Sequence, residues 1–432
     1  MSGISRSRVL LYILIFAIPS FSQTSRPFLM GSTAIQGYQQ GQGVVFQNSW
    51  SGFTFPQLAP DVDVISVQPE YLGIPFAKFA QGPDLPNSDP WVQEMLNLSY
   101  AARQTGKILM VQIALIRITL VGDAVYPDGL VEVNPYWAPS CPDLTSSQFS
   151  TLQRAYVNYA LWVARNFSPT YFAIMAEPNL YYTNCGGNTP SWQIILKIEQ
   201  AAYAAVKAAY PGTVVFPSFN LEALYDLKAT GFDQTQYDSL KNMPRDRLGL
   251  VSFPEIYGNP YTLPSDYYTR IQDQNPIEPR AVITETGWSS SSIDYYNAAA
   301  GNCSSSYSEL SFASAFLNFV IDSGYKGNFD LITWWSDRDE MPANVVSTCY
   351  PIASPPNYSA CNGDVWCAAV NYARNNYPPG TTPAYGELVF KAFGSLGLRD
   401  YDGTAKEGLL SFWQQFLELP LESSETRRRR LP

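Results

Sequence analysis

The sequence predicts a (β/α)8 barrel, and three observations carry that prediction. Eight short β-rich runs recur along the 432-residue chain. Helical stretches alternate with most of them. The β-rich runs are mostly continuous in apolar residues, as expected of parallel strands covered on both faces. Such alternation over most of the chain calls for a parallel sheet, here closed into a barrel. A doubly wound open sheet obeys the same rule and is the competing arrangement. No phosphate-cradling glycine loop follows an early strand, and Gly37, Gly41 and Gly43 have the wrong spacing for a dinucleotide fingerprint.

The strand candidates are residues 28–35, 62–67, 108–113, 171–176, 213–219, 248–253, 281–284 and 329–335. Helices are expected at 91–105, 146–167, 191–210, 306–323 and 384–396. In the second of these, Leu152, Tyr156, Tyr159, Trp162 and Val163 recur at three- and four-residue steps and form one apolar stripe. The third is rich in alanine and stops at Pro211 and Gly212. A long loop from 338 to 383, rich in Pro, Asn and Cys, follows the last strand and is expected to fold over one face.

The first 22 residues read as a secretory signal peptide. Arg6 and Arg8 precede an apolar run from Val9 to Ile18, and small residues stand two apart at Ser20 and Ser22. The run is short for a membrane span, and an uncleaved anchor is the alternative. Residues 23–421 are assigned to one barrel domain, and 422–432, ending in four arginines, to a disordered basic tail. A monomer, secreted and free of the membrane after signal cleavage, is expected.

Six cysteines, an even number, suit an oxidising compartment. The expected pairs are Cys141 with Cys185, Cys303 with Cys349, and the local pair Cys361 and Cys367. No C-x-x-C spacing supports zinc. Asn97, Asn166, Asn302 and Asn357 begin glycosylation sequons.

Composition narrows the function. A net charge of −10 disfavours nucleic acid as a partner. Aromatics reach 14%, which suits both a packed core and a groove that stacks on sugar rings. Histidine is absent, which excludes Ser-His-Asp and Cys-His catalysis and H-E-x-x-H zinc sites. Proton transfer must then rest on carboxylates, Lys, Tyr or Cys. No cofactor or metal site is expected. Asp337, Asp339 and Glu340 form an acidic cluster that reads as a solvated loop before a Ca²⁺ site.

A barrel of this kind carries its active site at the carboxyl ends of its strands. Glu177 follows the fourth strand in A-E-P-N, and Glu285 follows the seventh in T-E-T-G-W. Either glutamate alone reads most simply as a loop or helix-start acid. Together, at those strands of a histidine-free chain, they fit glycoside hydrolysis by paired carboxylates. Aromatic and polar neighbours are candidates for substrate contact: Trp335 before Trp334 because adjacent strand residues alternate faces, then Trp288, Asn179, Tyr257 and Glu70.

The chain resembles the clan A retaining glycoside hydrolases. Its T-E-T-G-W-S-S segment is similar to the nucleophile segment of the family 53 endo-β-1,4-galactanases and of the family 17 β-1,3-glucanases. The resemblance implies Glu285 as nucleophile, Glu177 as general acid/base, and a β-linked polysaccharide or oligosaccharide as substrate. The chain departs from the clan pattern in three places. Ala176 stands where Asn usually precedes the acid/base, and Phe253 stands where a Tyr often bonds the nucleophile. The clan's arginine has no counterpart after the second strand, and Arg117 is the substitute the sequence offers. These losses keep a second reading open, a carbohydrate-binding protein that has lost catalysis on a hydrolase fold.

Overall fold

Eight apolar runs become the staves of a closed parallel barrel. In chain order they are β1 (Leu29–Thr33), β2 (Val64–Val67), β3 (Ile108–Gln112), β4 (Tyr171–Ala176), β5 (Val214–Asn220), β6 (Leu248–Ser252), β7 (Ala281–Thr286) and, after an antiparallel hairpin, β10 (Phe329–Trp334). Round the ring the order is β1-β10-β7-β6-β5-β4-β3-β2. This is the predicted (β/α)8 barrel, with the open-sheet alternative excluded by the pairing of β1 with both β2 and β10. The computed structural model describes residues 24–34, 54–69, 74–114, 146–225, 231–276, 278–297, 302–339, 346, 349 and 391–423.

Alternation along each stave builds two cores. Leu29, Val64, Met110, Tyr171, Ala173, Phe216, Val282 and Leu331 meet in the lumen. Their neighbours Met30, Ile65, Val111, Phe172, Ile283 and Ile332 face the helical layer. β6 gives this layer of the lumen Gly249, where a Cβ would stand 2.7 Å from a ring carbon of Phe216 and 2.4 Å from the Pro217 carbonyl. The missing side chain makes room for the phenylalanine.

Helices cover the outside as capping rules dictate. α1 (Pro90–Gln104) starts with Asp89 accepting the N–H groups of Trp91 and Val92, and Pro90 occupies the first turn. α2 (Ser146–Phe167) keeps its predicted bounds. Its stripe of Tyr156, Tyr159, Trp162 and Val163 is buried against β4 and against Phe76, Phe79 and Trp91. α3 (Pro190–Ala209) is capped by Thr189, and α4 (Gln234–Leu240) by Asp233. α5 (Leu310–Lys326) begins four residues later than expected. Its predicted first turn instead belongs to β9 of the hairpin β8 (Ser291–Asn297) and β9 (Asn302–Glu309). α6 (Leu409–Leu417), a helix not expected from the sequence, is the last among the described residues.

Cys303 is bridged to Cys349, tying the hairpin to the segment beyond β10. Cys185 is also disulfide-bonded; its expected partner Cys141, and the pair Cys361 and Cys367, lie outside the described residues. So do the signal segment and most of the 338–383 loop. Asp339, expected in a solvated loop, is buried on Lys406 at 2.5 Å and accepts the Gly397 N–H. Asp337 and Arg338 are buried beside it. No group of His, Cys, Asp and Glu among the described residues is arranged to hold a metal.

A buried arginine ties the chain together at the barrel floor. Arg26 lies just before β1, is 3% exposed, and pairs with Asp63 through both terminal nitrogens, at 2.5 and 2.9 Å. It also donates to the carbonyls of Phe28, Leu417 and Leu419. The Glu422 N–H returns to the Arg26 carbonyl at 2.9 Å, so residue 422, assigned to the tail, is part of the fold. Removing one partner of such a buried pair leaves the other charge and several carbonyls unsatisfied. Arg26→Met should therefore lower unfolding free energy by about 3–5 kcal/mol, read as a drop in the urea midpoint at unchanged slope.

Candidate active site

Strict alternation would turn Glu285 the wrong way. Val282 faces the lumen and Ile283 the helices, so the fourth and sixth residues of β7 would point in and Glu285 out. The pairing shows why it does not. Between Ile283 and Glu285 strand β7 advances two residues while β6 advances one, from Leu250 to Val251. On the other side it advances three, from Ile283 to Thr286, against two on β10. One extra residue in β7 resets the parity, as a β-bulge does. Thr286 then meets the Tyr268 hydroxyl at 2.7 Å in the helical layer, and Glu285 enters the barrel mouth.

Its carboxylate is received by the far wall. Gln112, ending β3, lies four strands from β7 either way round the ring, and its Nε2 donates to Glu285 Oε1. Gln68, just after β2, donates to the same oxygen at 2.5 Å. Both amides continue the inward-facing series of their strands. Glu285 is 8% exposed.

Glu177 follows β4, three strands from β7 on the short side of the ring, so the two are across the mouth without being diametrically opposed. It has φ of 52°, a left-handed conformation that a non-glycine residue adopts at a cost of about 1–3 kcal/mol and that clusters at functional sites. The Glu177 N–H is fixed on the Ser218 carbonyl at 2.7 Å. Its Oε1 accepts Asn220 Nδ2 at 2.8 Å.

Asn220 is aimed by its own bonds. Its Oδ1 accepts the Ala223 N–H at 2.8 Å, which leaves Nδ2 for Glu177. Its backbone is gripped on both sides by Asn179, whose Oδ1 accepts the Asn220 N–H and whose Nδ2 donates to the Asn220 carbonyl. Gln236 of α4 completes the chain by accepting from Asn179. Asn179, fully buried, thus serves the site from behind and does not face a substrate.

Two further strand-end acids join the mouth. Glu222, two residues past β5, accepts the hydroxyls of Ser252 and Tyr267, each at 2.7 Å. Glu255, after β6, accepts the Ser289 N–H at 3.0 Å, and its other oxygen is buried with no hydrogen-bond partner among the described residues. Burial lifts Glu177 above the ordinary glutamate range, against the opposing pull of Asn220. Burial likewise pushes Glu222 and Glu255 to about 7.

The aromatic candidates divide. Trp335 lies at the mouth, packed edge-on to Phe253 and Phe393 and beside Leu396. Trp334 points the other way, fully buried against Phe316 of α5 with its Nε1 on the Leu396 carbonyl. Trp288 is also sealed against Phe316, its Nε1 on Ser308. Neither can serve as a sugar platform. Tyr257 ends a short 3₁₀ turn, Pro254–Tyr257; its side chain, Glu70 and Arg117 lie outside the described residues. Sequence reasoning missed Gln68, Gln112, Asn220, Glu222 and Glu255. Counting inward positions from Val64, Ile108 and Val214 to the strand ends would have found the three amides.

No family model matches the chain, and no curated protein matches it significantly. Solved structures do share the fold. A GH5_18 protein from Streptomyces cattleya, solved with Manβ1-4GlcNAc, is similar at TM-score 0.52 and 12% identity over 92% of this chain and 82% of that one. An exo-β-1,4-mannosidase from Opitutaceae bacterium strain TAV5 is similar at 0.51 and 13%, over 94% of this chain. This chain spans 60% of that protein's length. A β-glucosidase from Thermotoga maritima is similar at 0.50 and 10%, over 93% of this chain and 100% of that one.

The half-buried acids give stability a definite pH dependence. A carboxyl whose folded value is raised binds its proton more tightly in the native state than in the unfolded chain. Stability is then full below the ordinary glutamate value of 4.5 and falls as pH rises through about 7, where Glu222 and Glu255 are each half ionised. Urea midpoints from pH 4 to 8 should decline through that window, and Glu255→Gln should flatten the decline. A profile that rises steadily across the window contradicts these assignments.

Proposed function

We propose that the chain is a secreted, monomeric retaining glycoside hydrolase acting on a β-linked polysaccharide, of the β-galactan or β-glucan type. The observation that supports this reading best is the extra residue in β7. It brings a carboxylate into the mouth of a histidine-free barrel whose β4 ends on a second, strained glutamate. The T-E-T-G-W-S-S resemblance and the fold shared with a β-mannosidase and a β-glucosidase agree with it.

In the proposed reaction Glu285 attacks the anomeric carbon as its bond to the leaving oxygen breaks. Glu177 gives its proton to that oxygen. Water then attacks the glycosyl ester, Glu177 takes the water's proton, and Glu285 leaves as a free carboxylate. The burial that raises Glu177 above the ordinary glutamate range suits the proton donation of the first half of this cycle. Gln68 and Gln112 would orient the nucleophile from the opposite wall in place of the clan's tyrosine, since Phe253 has no hydroxyl to offer. Trp335, edge-packed at the mouth, is the aromatic best situated for the sugar's apolar face.

Ala176 and Phe253 favour one other reading, binding without turnover. The two separate on a panel of β-galactans, β-glucans, mannans and xylans. Release of reducing sugar, with NMR of the first product showing retained anomeric configuration, is the expected result. Tight binding with no release over long incubation would replace hydrolysis by recognition. Glu285→Gln should abolish release with an unchanged melting temperature, and Glu177→Gln should slow it about 10²–10⁴-fold. Ordinary turnover by the Glu285 variant would overturn the assignment.

A further inference from the structure

Glu222 has no role in the double displacement, yet it is built into the same corner of the barrel as Glu177. The turn after β5 carries both connections. Asn220 reaches Glu177 with its Nδ2 and locks the turn by accepting the Ala223 N–H. Glu222 lies inside that turn. Its Oε1 takes two hydroxyls that come from different elements: Ser252 ends β6, and Tyr267 lies beyond the loop that follows. The two hydroxyls are themselves 3.1 Å apart, so the three groups form one triangle.

The surroundings are neutral or acidic. From β4 the facing titratable group is Glu177, and from the segment after β6 they are Tyr267 and Tyr268. Arg270, the cation closest in sequence to these tyrosines, is engaged by Asp266 and lies over the Tyr225 ring. Two hydroxyl donors suit a carboxylate in either protonation state, because each hydroxyl can rotate to accept as well as donate. A purely structural acceptor at this point would be served as well by an amide. A group able to change its charge beside the acid/base is different in kind: when it ionises, it makes ionisation of its neighbour harder.

Resting on the hydrolase reading for its catalytic meaning, we propose that Glu222 is a positioning residue, coupled to Glu177 through the β5 turn, that extends the pH range over which Glu177 keeps its proton. The carboxyls of Glu177 and Glu222 then titrate as a pair, and the second proton leaves only after the first charge has been overcome. The charge of Glu177 is among the causes that hold Glu222 up, after burial.

Glu222→Gln tests this cleanly, because the amide oxygen still accepts both hydroxyls while the ionisable group is gone. The alkaline limb of kcat/KM against pH should move acidward by on the order of one unit. A uniform loss of rate with the limb in place would mean that Glu222 is structural and would overturn the proposal. A second measurement does not need turnover. Infrared difference titration of the protonated carboxyl band, compared between the wild-type chain and Glu177→Gln, should show the near-neutral Glu222 transition moving acidward when Glu177 can no longer ionise. A Glu222 transition indifferent to that substitution overturns the coupling. Should no substrate of the panel turn over, the hydrolase reading fails by itself, and the infrared comparison still decides whether the two carboxyls are coupled.

Discussion

One additional residue in β7 governs the whole site. Without it the seventh strand would present Glu285 to the hydrophobic helical layer, where a carboxylate would be without water or partners. With it, the same carboxylate reaches amides on two strands of the opposite wall. The insertion also leaves Thr286 free to bond Tyr268 outside the barrel. Inward and outward faces of the seventh strand are thereby both satisfied. The site and the packing behind it are two sides of one local irregularity.

Around that point stand acids that burial raises above the ordinary glutamate range. Desolvation is the leading cause of the raised values at Glu177, Glu222 and Glu255 alike. A neutral buried carboxyl can donate a hydrogen bond, so the cost of placing several acids together is smaller than their number suggests. The amides of Asn179, Asn220 and Gln236 set the geometry within this ring, each held by another polar group. Amides do not titrate, so such an arrangement stays rigid while the acids change charge.

The strands were legible in the sequence because their apolar runs are long relative to their turns; β4 was read to the residue. α2 was equally clear from its aromatic stripe. The β8–β9 hairpin was not, since a run such as N-C-S-S-S-Y-S-E carries no apolar alternation and one of its faces is solvated. Glu285 and Glu177 stood out as acids at strand ends. Gln68, Gln112 and Asn220 did not, because a neutral amide looks alike in sequence whether it faces solvent, core or lumen. Alternation separated the adjacent tryptophans: Trp334 continues the outward series of Ile332 into the wall, and Trp335, the favoured of the two, lies at the mouth. Trp288 misled, since nothing in the sequence shows that it is sealed against Phe316.

Arg26 and residue 422 lie together at the floor, where a parallel bridge between Arg26 and Leu421 brings the first and last described stretches side by side. The described backbone is therefore nearly a ring. Anything joined just before residue 24 or just after residue 423 would start from the pole of the barrel opposite its mouth.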